Sequence, residues 1–119
     1  MQPAIPRGAV QRVMHVSQAL AGNPLGDPTE REVVVYLPPG YDADPDRRYP
    51  VVFALPAFLS TGVAFLNWAA FQKTLPQYLD ELAAAEPERA LIAVFPDGFT
   101  SYGGSQYLNS SATGNYEDY

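Results

Sequence analysis

Few side chains in this sequence carry the chemistry of a catalyst. His15 is the one histidine, and its ordinary pKa suits proton transfer near neutral pH. It stands between Met14 and Val16 in a stretch of branched apolar residues, which favours an ordinary strand residue far from any active-site end. Ser105 lies in Gly103-Gly104-Ser105-Gln106-Tyr107, the string nearest to the G-x-S-x-G of a nucleophile elbow. Tyr107 replaces the last small residue, and no apolar strand precedes the string. A serine hydroxyl without an adjacent base is inert, so a turn serine is expected. Asp42, Asp44 and Asp46 alternate. An EF-hand loop begun at Asp42 needs Gly at its sixth place and Glu at its twelfth, where Arg47 and Phe53 stand. The three aspartates are expected in a solvated loop, with no metal bound. No cofactor motif appears.

Composition narrows the remaining chemistry. The 119 residues fit one small domain. A hydrophobic fraction of 47% argues against wholesale disorder. Seven basic residues against thirteen acidic ones give a formal charge of -6, so no basic patch serves nucleic acid. The absence of cysteine removes disulfides, thiolate nucleophiles and cysteine-ligated zinc. The longest apolar runs, Val51–Leu55 extended to Leu59 and Ala90–Phe95, fall short of the ~20 residues of a membrane helix. No charged segment followed by an apolar core opens the sequence, so a cytoplasmic location is expected.

Proline and glycine cut the chain into short elements. Val10–Leu20 and Arg31–Leu37 read as strands, rich in the β-branched residues that suit a pleated surface. The turn-rich segment Ala21–Glu30 makes them an antiparallel pair. Tyr49–Leu55 is apolar without alternation, as expected of a strand covered on both faces. Thr74–Ala85 reads as a helix: Thr74 caps it, Pro76 lies in its first turn, and Leu75, Tyr78, Leu79 and Leu82 share one face. Leu91–Phe95 is a further continuous apolar strand. Strand, helix, strand implies a parallel β-α-β unit. The predicted fold class is therefore α/β, an antiparallel hairpin followed by a parallel β-α-β unit. Phe99–Ser111 is expected to be a loop, and Asn115–Tyr119 the first turn of another helix.

Ligands of open α/β sheets bind at the carboxyl ends of the strands. Tyr107 and Asn109, in the loop after Leu91–Phe95, are therefore candidate substrate-binding residues. Trp68, with Phe65 and Phe71, either caps an acyl pocket or packs on the sheet, and packing is the expected role.

Four strings in order, Tyr36-Leu-Pro-Pro-Gly-Tyr41, Tyr49-Pro-Val-Val52, Pro96-Asp-Gly98 and Gly103-Gly-Ser-Gln-Tyr107, resemble an esterase family of α/β-hydrolases. That family includes the esterase D type (S-formylglutathione hydrolases), enterochelin-esterase-like proteins and secreted mycolyltransferases. The resemblance runs from Val10 to Tyr119 and implies the N-terminal portion of an α/β-hydrolase domain over residues 1–119, cut before the nucleophile elbow. The implied reaction is attack by a serine on a small-molecule ester or thioester, through an acyl-enzyme. This chain has no G-x-S-x-G, and the family pattern places nucleophile, acid and histidine beyond Tyr119.

The resemblance also implies an oxyanion donor in the loop after Val51–Leu55. By position it is the Phe58 N–H. Such a donor contributes about 3–4 kcal/mol to the transition state. Relatives carry His-Gly or Asp-Gly where this sequence has Pro56-Ala57, so Ala57 is expected to hold backbone strain. In the family, the strand matching Val51–Leu55 is an interior one, so an unpaired side here would support strand-paired self-association. The alternative reading is a catalytically dead, hydrolase-like binding module.

Overall fold

A computed structural model describes residues 4–67, 70 and 72–119. Strands β1 (Ala9–Val16) and β2 (Glu30–Leu37) form the expected antiparallel pair, with Val13 opposite Val33. β1 stops at Val16, four residues short of the expected end. Residues 18–21 close a turn, the Ala21 N–H donating to the Gln18 carbonyl, and Leu20 is fully buried there. Asn23 then organises the connection. Its Nδ2 donates to the Leu20 and Asp27 carbonyls, and its Oδ1 accepts the Asp27 N–H.

Strand β3 (Val51–Phe53), helix α1 (Leu75–Ala85) and strand β4 (Ile92–Phe95) form the β-α-β unit. β3 and β4 pair in parallel, and β4 joins β2 antiparallel, giving the order β1-β2-β4-β3. Thr74 caps α1 through a capping box. Its hydroxyl accepts the Gln77 N–H, while Gln77 Oε1 accepts the Thr74 N–H at 2.7 Å. Pro76 occupies the first turn.

Side chains alternate between sheet faces. One face carries Val34, Tyr36, Ala93 and Phe95, all buried beneath Val63, Phe65, Leu66, Leu75 and Leu79. Tyr36 reaches through this layer and donates its hydroxyl to Asp80 Oδ1 of α1 at 2.7 Å; the Gly8 N–H bonds the same oxygen. Tyr78 does not join the buried stripe. It is exposed, with Lys73 over its ring.

The opposite face carries Val13, Val33, Val35, Val94, Val51 and Phe53, by the same alternation and register. Over β3 this face is open. Val51 and Phe53 are 51% and 64% exposed. The unalternated run 49–55 predicted a strand covered on both faces. Among the described residues nothing lies over its outer face, and Pro50 and Pro56 confine the strand to a short span.

The last expectation to fail is a helix at 115–119. β5 (Asn109–Ser110) and β6 (Gly114–Asn115) instead form a small antiparallel hairpin. Gly114 turns at φ 119°, and Asn109 Oδ1 accepts the N–H groups of Glu117 and Asp118. Those donors are thereby held in a turn.

Candidate functional site

The chain leaves β3 through a tight turn at residues 57–60, closed by the Ser60 N–H on the Ala57 carbonyl at 3.0 Å. Leu59, third in the turn, has φ 65°. A positive φ at that place is the mark of a type II turn, which favours glycine. The strain expected at Ala57 therefore resides two residues later, at Leu59. The Leu59 N–H donates to the Gly103 carbonyl at 2.7 Å. The Phe58 ring lies on the backbone of Gly103 and Gly104; a Cβ on either would sit 2.9 or 3.0 Å from a ring carbon.

The loop after β4 is braced from within by Thr100. Its hydroxyl donates to the Gly104 carbonyl and accepts the N–H groups of Tyr102 and Gly104. Gln106 and Tyr107 then both adopt positive φ, 53° and 57°. They form the centre of a turn whose Leu108 N–H reaches the Ser105 carbonyl. Two successive non-glycine residues in this region cost about 1–3 kcal/mol each. The turn brings the Tyr107 hydroxyl to the Pro56 carbonyl, to which it donates at 2.8 Å. Gly98 lies beneath that ring, where a Cβ would come within 2.6 Å of it. Phe58 and Tyr107 thus meet at the carboxyl ends of β3 and β4, with Pro56, Gly104 and Ser105 lining the same small cleft.

The other candidates fall elsewhere or into supporting roles. Asn109 uses its carbonyl oxygen on the 117–118 turn. Ser105 is buried, and its hydroxyl accepts the Tyr107 N–H. Phe65 packs on Phe95 with ring centroids 5.0 Å apart; Trp68 and Phe71 lie outside the described residues. His15 is not remote, as the sequence led one to expect. β1 runs in the same direction as β4, which carries His15 to the carboxyl end, its ring 6.0 Å from that of Tyr119. His15 shares with Phe53, Leu55, Tyr107, Tyr116 and Tyr119 a cavity of about 320 Å³ on the open sheet face.

Arg31 is the residue that sequence reasoning missed. It is 4% exposed. Its Nε donates to the Pro28 carbonyl, one terminal nitrogen to the Phe99 carbonyl and the other to the Tyr116 hydroxyl. Asp97 lies 3.6 Å from the guanidinium. The available signal was alternation: Arg31 shares a strand face with Val33 and Val35, a charge in an apolar stripe. Asp27 adds a clamp by accepting the Ser101 N–H and hydroxyl. Burial raises the pKa of Tyr107, Tyr116 and Tyr119 above the usual tyrosine value; the Asp97 charge adds to the rise, while at Tyr119 the hydrogen bond from the Asp97 N–H opposes it. The Tyr107 hydroxyl donates to the Pro56 carbonyl, while the Tyr116 and Tyr119 hydroxyls accept from Arg31 and from the Asp97 N–H.

This arrangement of strand ends and loops has counterparts among solved structures. The fold is similar to that of ferulic acid esterases. A ferulic acid esterase matches with TM-score 0.61 and 22% identity, over 86% of this chain and 34% of its own. The CE1 ferulic acid esterase of Anaeromyces mucronatus in complex with ferulic acid matches with TM-score 0.56 and 23% identity, over 92% of this chain and 35% of its own. The same enzyme without substrate gives 0.55 and 24%, over 86% and 33%. The chain spans about a third of the length of the structures it matches. No protein-family model matches it, and no curated protein matches it. The similarity is one of fold, of a small mixed α/β domain with one α-helix among the described residues. Among those residues no helix is long and apolar enough to cross a membrane.

Proposed function

We propose that this chain is the N-terminal portion of a serine carboxylic-ester hydrolase of the α/β-hydrolase fold, and that residues 56–59 and 98–107 form one wall of its active site. The observation that carries the reading is the meeting of Phe58 and Tyr107 at the carboxyl ends of parallel β3 and β4, in a fold shared with esterases. Phe58 offers its backbone N–H to the oxyanion of the tetrahedral intermediate. Tyr107 fixes the height of that turn by holding the Pro56 carbonyl. The substrate is an ester; the matched enzymes act on ferulic acid esters, which makes an aromatic acyl group the first to try. Attack by serine, formation of the acyl-enzyme and its hydrolysis need a nucleophile and base that these residues do not supply.

The 119-residue chain is expected to show no hydrolysis of p-nitrophenyl acetate above a boiled control, because oxyanion donors stabilise charge on a reaction that something else must start. Turnover abolished by Ser105→Ala would overturn this assignment. Reading the coding sequence beyond the Tyr119 codon tests the wider proposal. An open frame with G-x-S-x-G supports it, and an immediate stop turns the reading to a hydrolase-like binding module.

A further inference from the structure

The turn at residues 105–108 is strained at both of its central positions. Gln106 and Tyr107 have φ 53° and 57°, as in a type I′ turn, which calls for Asn, Asp or Gly there. Such strain persists only where surrounding contacts over-determine it. In this turn those contacts converge on one residue. The Tyr107 hydroxyl donates to the Pro56 carbonyl, its N–H donates to the buried Ser105 hydroxyl at 3.2 Å, and its ring covers Gly98. The other bond of the turn, from the Leu108 N–H to the Ser105 carbonyl, is long at 3.4 Å. Gln106 and Leu108 are exposed and add little burial.

The flanks of the turn are fixed. Thr100 braces Gly104, the Phe58 ring lies on Gly103 and Gly104, and Ser105 is buried. On the other side, Asn109 is tied to the Glu117 and Asp118 amides and pairs with Asn115. A change confined to residues 106–108 therefore leaves both neighbours in place.

We propose that residues 105–108 are a two-state latch over the cleft. In the closed state, the one in this structure, Tyr107 holds the Pro56 carbonyl and both central residues carry strain. In the open state the turn relaxes to the mirror form, type I, with both φ negative, and the Tyr107 ring swings off Gly98. The strain relieved on opening offsets the hydrogen bonds and the ring contact that are lost, so the two states lie close in free energy. Opening uncovers the Pro56 carbonyl, Gly98 and the Ser105 hydroxyl. The cleft that Pro56, Phe58, Gly104 and Ser105 line is thereby enlarged. On the esterase reading, opening admits the acyl group and closing restores the hold on the turn that presents the Phe58 N–H. The latch itself does not depend on that reading.

Amide hydrogen exchange of the 119-residue chain, followed residue by residue by NMR, tests the latch. The Tyr107 and Leu108 N–H groups should exchange through a local opening. Their protection should not change in low urea, because so small an opening exposes little surface. Gln106→Gly removes strain from the closed state, and the protection of both amides should rise about two- to fivefold. Gln106→Val puts a β-branched residue at positive φ, and their protection should fall. The Leu59 N–H, bonded to the Gly103 carbonyl outside the latch, should keep its protection in both variants. That amide separates the latch from a general loosening of the two loops. Exchange at Tyr107 and Leu108 that rises with urea in step with global unfolding overturns the proposal. So does protection unmoved by Gln106→Gly and Gln106→Val, or a Leu59 amide that moves with the other two.

Discussion

The Tyr107 hydroxyl donates to the Pro56 carbonyl across 51 residues of sequence. That bond joins the loop after β4 to the loop after β3. It does so from a turn held in a strained conformation at both central residues. The proposed oxyanion donor, the Phe58 N–H, lies two residues from the carbonyl so held.

Tyr107→Phe keeps the ring on Gly98 and removes only the donor. The partly buried Pro56 carbonyl then loses its partner. A loss of about 0.5–1.5 kcal/mol is expected in urea unfolding. An unchanged midpoint would show that the bond contributes nothing and that the two loops are held together by the Leu59 N–H and the Phe58 ring alone.

Leu59→Gly should act in the opposite direction. Leucine at φ 65° carries a penalty of roughly 1–2 kcal/mol that glycine avoids, part of which glycine returns through its freer unfolded state. The Leu59 side chain is 70% exposed, so little burial is lost. A net gain of about 0.5–1 kcal/mol follows, read as a higher thermal midpoint. A loss of stability would mean that the contact of Leu59 with Gly103 outweighs the strain.

The elements legible in the sequence were those specified locally. Valines and a tyrosine marked β2, Thr74 with Gln77 and Pro76 marked the start of α1, and Pro87 its end. The parallel unit and the end of the sheet at which Phe58 and Tyr107 meet followed from element order. What escaped was set by partners distant in sequence. The apolar run at 49–55 has the composition of a covered strand, yet its cover is absent from the described residues. Positive φ at Leu59, Gln106 and Tyr107 carries no sequence mark, because none of them is glycine. Asn109 looked like a pocket residue, and its oxygen is taken by amides eight and nine residues on.

Arg31→Met tests the network that holds the 97–101 segment. The arginine is 4% exposed and satisfies the Phe99 carbonyl, the Tyr116 hydroxyl and the Pro28 carbonyl together. Methionine fills similar volume but leaves those acceptors without the guanidinium and Asp97 without its ion pair, though the Phe99 N–H still reaches the carboxylate. Removing one member of a buried charged group costs about 3–5 kcal/mol, and the partial exposure of Asp97 puts the expectation at the lower end. Arg31→Lys should recover only part of it, since an ammonium lacks the fork that reaches three acceptors. Full recovery by lysine would show that charge alone, without the fork, does the bracing.

The tyrosines set the alkaline limit of the fold. Burial raises the pKa of Tyr36, Tyr107, Tyr116 and Tyr119 above the ordinary value of 10.0; a hydrogen bond to Asp80 adds to the effect at Tyr36, and Arg31 opposes it at Tyr116 and Tyr119. Below pH 10 these hydroxyls are protonated in both folded and unfolded chains, so they add no pH dependence there. As pH rises past 10 the unfolded chain releases their protons first. The folded chain still binds them, and stability falls until the folded pKa values are passed. The sign is therefore full stability on the neutral side and progressive loss above pH 10. Thermal midpoints from pH 8 to pH 11.5 should be flat with respect to these groups and then drop. Absorbance at 295 nm should show a share of the phenolate, that of these four among the eight tyrosines, appearing only together with unfolding. Tyr116→Phe removes one such proton and should make the drop shallower. A midpoint that holds level to pH 11.5 would show that these hydroxyls ionise in place, without the burial that raises them.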